Sequence, residues 1–139
     1  MSSRVPAIKV LLLPKDTNAL GTIFGGVILS HIDLASAVEA RKTAPHRYVT
    51  KAMNGVEFHA PVFVGDLVNF FTETMRVGRT SITVKVIVEA ERWGVVPFDS
   101  APATSAGSLA QGKQVRVTEA EVVLVALGPD GTPIPIRPE

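Results

Sequence analysis

The sequence predicts an α+β fold: one long helix wrapped by an antiparallel sheet. Three observations carry that expectation. One apolar, helix-like stretch lies early in the chain, four β-branched runs follow it, and no second convincing helix appears in the 139 residues. That length suits a single domain spanning 1–139, with a real core but too little volume to enclose an active site easily.

The elements follow in order. Residues 5–13, VPAIKVLLL, read as a strand that stops at Pro14, and PKDTNALGT after them is turn chemistry throughout. The helix is expected to begin at Gly25 or Gly26 and to run to about Thr43, where Arg41 and Lys42 suit the negative end of the helix dipole and Pro45 stops it. At 1.5 Å per residue it is about 27 Å long. The runs RYVTKAMNGVEF, DLVNFFTETMRV, TSITVKVIVEAERW and KQVRVTEAEVVLVAL then read as strands, with Val115, Val117 and Glu119 alternating against Arg116 and Thr118. Asn54-Gly55 is read as lying inside a continuous strand, whereas Gly78-Arg79 is read as a turn. Residues 97–114 are small and polar without periodicity and read as a flexible loop. The end of the chain, GPDGTPIPIRPE, is a turn and a proline-interrupted tail.

Composition narrows the function. Hydrophobic residues make up 46% and charged residues 19%, and mean hydropathy is +0.28, so part of the apolar surface is expected to meet a second copy. The helix argues the same way. Val27, Ile28, Leu29, Ile32, Leu34, Ala35, Ala37 and Val38 spread around it, and one sheet covers one side only. A net charge of +1 without a basic run argues against nucleic acid as a partner. The start of the chain is too short and broken for a signal peptide or membrane span. There is no cysteine, and His31, His46 and His59 lack metal-ligand spacing, so a metal-free cytoplasmic protein is expected.

Asp33 stands out inside that apolar helix. Its ordinary reading is a solvated aspartate paired three or four positions away, but those positions hold Leu29, Ser30, Ser36 and Ala37, none of them basic. Asp33 shares its face with Gly26, Ser30, Ala37 and Ala40, small residues that leave a groove where a carboxylate serves as base or nucleophile. Gly25 and Gly26 have an ordinary reading as a cap or close-packing point. Their functional reading is an oxyanion hole, because first-turn N–H groups lack intrahelical partners and glycine lets a ligand approach them. Gly26 and Asp33 lie seven residues apart, about 10.5 Å along one helix. One helix cannot serve one carbonyl with both, whereas two antiparallel copies can.

These residues resemble the hotdog-fold acyl-CoA thioester hydrolases, particularly the cytosolic acyl-CoA hydrolase group. DTNALGTIFGGVILSHID, VEFHAPVFVGDLV, RVGRTSI and VALGPDGTPIPI are similar to that group's signatures, in order, and the match spans about residues 8–96 and 115–136. The resemblance implies a hotdog dimer with a continuous sheet, commonly assembled into a trimer of dimers, that hydrolyses acyl-CoA to CoA and a carboxylic acid without a cofactor. It implies Asp33 as the catalytic carboxylate, Gly25 and Gly26 as the carbonyl-polarising helix end, and Asn18 as a loop residue near the site. Arg79, Thr80 and Ser81, with Arg76 beside them, would meet the CoA part of the substrate. The sequence departs from the family at loop 97–114 and at Leu20, which bear on the entrance and the acyl pocket. His59, His31 and Asp66 are read as structural, and Trp93 as bordering the long loop. Two other functions compete: an acyl-CoA-binding sensor that does not hydrolyse, and a hydratase or dehydratase, which needs a paired Asp and His in another motif.

Overall fold

In a computed structural model, which describes residues 4–93 and 112–137, five strands form one antiparallel sheet around one helix. The elements are β1 (Ile8–Leu11), a short 3-10 turn (Pro14–Asp16), α1 (Gly25–Thr43), β2 (Arg47–Phe58), β3 (Leu67–Val77), β4 (Ser81–Trp93) and β5 (Gly112–Leu127). Their order across the sheet is β1-β3-β4-β5-β2. The expected helix and strands are all present.

Two boundaries differ from the sequence reading. β1 is shorter than residues 5–13, because Leu13 leaves the ladder to place its N–H on the Asp16 carboxylate at 3.1 Å. The expected loop 97–114 lies outside the described residues except for Gly112–Gln114, which pair with β4 as the first rungs of β5.

The core is set by the two periodicities. On β4, Ile82, Val84, Val86, Val88 and Ala90 alternate inward and are fully buried, and Val122, Leu124 and Ala126 of β5 join them. Ile28, Ile32, Ala35, Ser36 and Ala40 form the helix face that lies on this sheet. Each large aliphatic side chain removed from water contributes about 1.5–3 kcal/mol, so this seam fixes where α1 sits. The alternation read at 115–119 breaks at Val117. Thr118 pairs with Val88 while Arg116 pairs with Glu89, so Val117 is an extra residue, and both it and Thr118 are buried.

β2 contrasts with β4. It is an edge strand of 12 residues, none of them fully buried. Gly55 lies within it at φ +61, at a register shift between Asn54 and Glu57, so the strand continues through Asn54-Gly55 by a bulge. Gly78-Arg79 is a turn as expected, closed by Gly78 N–H donating to Ser81 O at 2.7 Å. The tail is also tied down: Ile136 is buried, and its N–H donates to Arg79 O at 2.8 Å.

Candidate active site

The N-terminus of α1 is presented by two loops. The first, residues 16–24, is a small hairpin held by a Thr17–Ile23 bridge. Asn18 organises it. Its Oδ1 accepts the N–H groups of Leu20 (2.8 Å) and Thr22 (3.2 Å), and its Nδ2 donates to Thr22 Oγ1 at 2.9 Å. Both ends of the Asn18 side chain are thus engaged in its own loop. Asp16 fastens the loop from below, and the Leu13 N–H together with Lys15 holds its carboxyl below the usual carboxylate range. Phe24 N–H then donates to Asp16 O at 2.9 Å, aiming the chain into the helix.

The second loop, residues 59–66, crosses the same helix end. Ile23 N–H donates to Val62 O at 2.8 Å, and His59 N–H to Val117 O at 2.6 Å. Asp66 locks it: only 1% exposed, it takes Arg92 through two nitrogens, with Nη2 to Oδ2 at 2.7 Å, and accepts Phe63 N–H at 3.0 Å. The structural reading of Asp66 therefore holds, and Arg92 is the partner that sequence spacing did not reveal.

Between the two loops Gly25 borders a cavity of about 330 Å³, lined chiefly by Ile23, Ile28, Phe58, Val62 and Val117. Apolar cavities of this size with a few polar groups at one edge are typical ligand sites. The polar edge here is the helix end, where Gly25 and Gly26 N–H have no intrahelical acceptor. A Cβ at Gly26 would lie 2.5 Å from the Phe24 ring, which is 57% exposed, so that ring would have to move aside. His59 lines the cavity with its Nε2 3.8 Å from Glu119 Oε1.

Asp33 sits two turns further along α1, half-buried, with its Oδ1 accepting the Thr50 hydroxyl from β2. No base pairs with it among the described residues, as its helix neighbours led one to expect. The structure leaves Gly26 and Asp33 well apart within one chain, and it leaves apolar surface on the helix near Asp33: Leu34 is 56% and Val38 40% exposed. Leu20, 89% exposed at its loop tip, does not line the cavity of its own chain.

Arg76, Arg79, Thr80 and Ser81 are elsewhere. Their turn is anchored on the tail and on β5, where Ala126 N–H donates to Thr80 O at 2.9 Å. Ser81 pairs with Val125, which pairs with Val49, so the turn lies two strands from β2, about 9–10 Å across the sheet. One chain therefore gathers the glycine end, the cavity and Asn18 in one place, Asp33 in a second and the arginine turn in a third. Among the described residues no group of three or more His, Asp or Glu is gathered as metal ligands are.

Comparison with known proteins gives a consistent picture. Residues 20–96 match the Thioesterase superfamily. Acyl-CoA thioester hydrolase YciA of Salmonella typhimurium is 34% identical over 129 residues, 93% of this chain and 87% of that protein. A hexameric hotdog fold thioesterase of Campylobacter jejuni superposes with a TM-score of 0.79 at 40% identity, covering 95% of this chain and 90% of its own. A hexameric broad specificity acyl-coenzyme A thioesterase gives 0.81 at 34% identity, covering 100% and 85%.

Proposed function

The chain belongs to the thioesterase superfamily, and from that premise we infer that it hydrolyses acyl-CoA thioesters to free CoA and a carboxylic acid, at a site completed by a second copy. The observation that carries the shared site is the arrangement of α1. Among the described residues, amide donors without a side-chain cap stand at its glycine end, an acid without a basic partner stands two turns on, and the exposed Leu34 lies next to the acid. Two copies packed antiparallel bring the donors of one against the acid of the other.

In that pocket the Gly25 and Gly26 N–H groups of one subunit donate to the thioester carbonyl oxygen as it gains charge. The Asp33 carboxylate of the partner subunit takes a proton from water as the water oxygen bonds to the carbonyl carbon. The C–S bond then breaks, and the CoA thiolate leaves and takes up a proton. The cavity at Gly25 receives apolar acyl substance, Asn18 keeps the entry loop in shape, and the turn at Arg79, Thr80 and Ser81, with Arg76, holds the CoA portion. The working unit is a dimer joined along β2 and built further into a trimer of dimers, a reading supported by the hexameric relatives. Its compartment is the cytoplasm, a reading that the cysteine-free sequence supports.

Thiol release from a panel of acyl-CoAs tests this. Wild type should release CoA, and Asp33→Ala should lose about two decades of turnover, the order expected when a general base is removed. Tight acyl-CoA binding without product would replace hydrolysis by sensing.

A further inference from the structure

We propose that His46 is a positioning residue for the turn at Arg79, which it steadies through the tail at 133–137, an inference that rests on the reading of that turn as the CoA contact. His46 stands at the junction of α1 and β2, and Arg79 in the turn between β3 and β4. Ile136 joins them. Its N–H donates to Arg79 O at 2.8 Å, and its carbonyl lies 2.7 Å from His46 Nε2. A carbonyl can only accept, so that nitrogen carries the proton.

The sequence explains why the tail needs this donor. Pro133 and Pro135 have no N–H, so the segment cannot form a full ladder against the sheet. Ile134 and Ile136 donate instead, to Ala126 O at 3.0 Å and to Arg79 O. Ile136 is buried, and a buried carbonyl requires a donor of its own. His46 supplies it from a stiff support. Ala44 N–H donates to Ala40 O at 2.9 Å, His46 N–H to Ala44 O at 3.0 Å, and the Tyr48 hydroxyl to the same carbonyl at 2.9 Å. The Tyr48 ring meets the imidazole edge-on, and Pro45 restricts the backbone between them. The consequence falls on Arg79. An arginine grips a phosphate through a directional fork, so the placement of its backbone decides whether the fork arrives. That contact is remote from the bond being broken, so a loosened turn should weaken binding and leave the chemical step alone.

Two substitutions and two substrates separate this role from a merely structural one. His46→Leu removes the donor, whereas His46→Gln keeps an N–H. With acyl-CoA, His46→Leu should raise KM about fivefold, the weight of one hydrogen bond, while kcat stays within about twofold of wild type. His46→Gln should keep KM within about twofold of wild type. With the matching acyl-pantetheine thioester, which lacks the nucleotide and its phosphates, His46→Leu should equal wild type, and that result also shows the variant to be folded. Arg79→Ala should itself raise KM for acyl-CoA, and His46→Leu added to it should change little more. An unchanged KM in His46→Leu, the same loss on the pantetheine thioester, equal losses for Leu and Gln, or a full additional loss without Arg79 would each overturn the proposal. An unchanged KM in Arg79→Ala alone would instead remove the reading of the turn beneath it, and the proposal with it.

Discussion

Two acidic regions of this molecule are built on opposite plans. At the start of β3, Asp66 is sealed from solvent, paired through two nitrogens of Arg92 and bonded to the Phe63 amide. At the middle of α1, Asp33 is half-buried, has among the described residues one hydroxyl partner and no cation, and is next to the exposed Leu34. Both oxygens at Asp66 are used inside the fold, whereas Oδ2 of Asp33 has no partner among the described residues. The first pattern shapes a loop; the second leaves a group able to react. Burial alone does not mark an acid as functional, and an incomplete set of partners beside an open surface does so better.

Removing each acid should therefore break different things. The largest effect on stability is expected for Asp66→Ala, which leaves the Arg92 guanidinium without its counter-ion: about 3 kcal/mol, as for other buried pairs broken from one side. Denaturant unfolding checks it, and a loss below about 1 kcal/mol would mean that Asp66 does not hold the loop. Asp33→Ala should do the reverse. Turnover should fall about 100-fold while unfolding free energy falls by no more than about 1 kcal/mol, the size of the one hydrogen bond lost with Thr50.

A mixing experiment sharpens the comparison, because in the proposed site only Asp33 of the two acids works across two chains. Asp33→Ala and Gly26→Val should each be nearly inactive. A valine there pushes on the Phe24 ring and is expected to crowd the first-turn amides. Unfolded and refolded together in equal amounts, they should form mixed dimers with one intact glycine end facing one intact acid. Random pairing gives about a quarter of wild-type activity. No recovery on mixing would place both groups at one chain's own site. Mixing with either variant should not restore the stability lost in Asp66→Ala, since the partners of Asp66 all lie in its own chain.

The contrast was legible in the sequence only in part. Residues 25–43 read as the helix because the glycine pair and Pro45 bracket it, and 47–58 read as a strand because β-branched residues continue through Asn54-Gly55. The separation of Gly26 from Asp33 follows from helical rise alone, so the need for two copies could be argued before any contact was known. What could not be read is register. Nothing local to Asp33 names Thr50, 17 positions away, and nothing local to Asp66 names Arg92, 26 positions away. The bulge at Val117 hid in an alternating run for the same reason, since it depends on what β4 offers opposite. Asn18 illustrates a third limit. Its motif suggested a place near the chemistry, while its side chain is spent on the loop's own amides.

The smallest effect belongs to a neighbour of Asp66 and tests whether that whole corner is built for structure. Glu91 accepts Asn69 Nδ2 at 2.7 Å and Lys9 Nζ at 3.1 Å. Asn69 first and Lys9 second hold its carboxyl below the ordinary glutamate value. An acid depressed in the folded state adds stability that is present above the unfolded value and lost as pH falls through the folded one. Glu91→Gln keeps the shape and removes the charge, so it should be less stable than wild type at pH 7, by under about 1 kcal/mol because solvent screens the lysine pair. As pH falls through and below the ordinary glutamate range of about 4.3, the wild-type advantage should shrink toward zero. Parallel unfolding curves for the two proteins at several pH values measure it. A gap that stays constant with pH would show that Glu91 contributes through shape rather than charge.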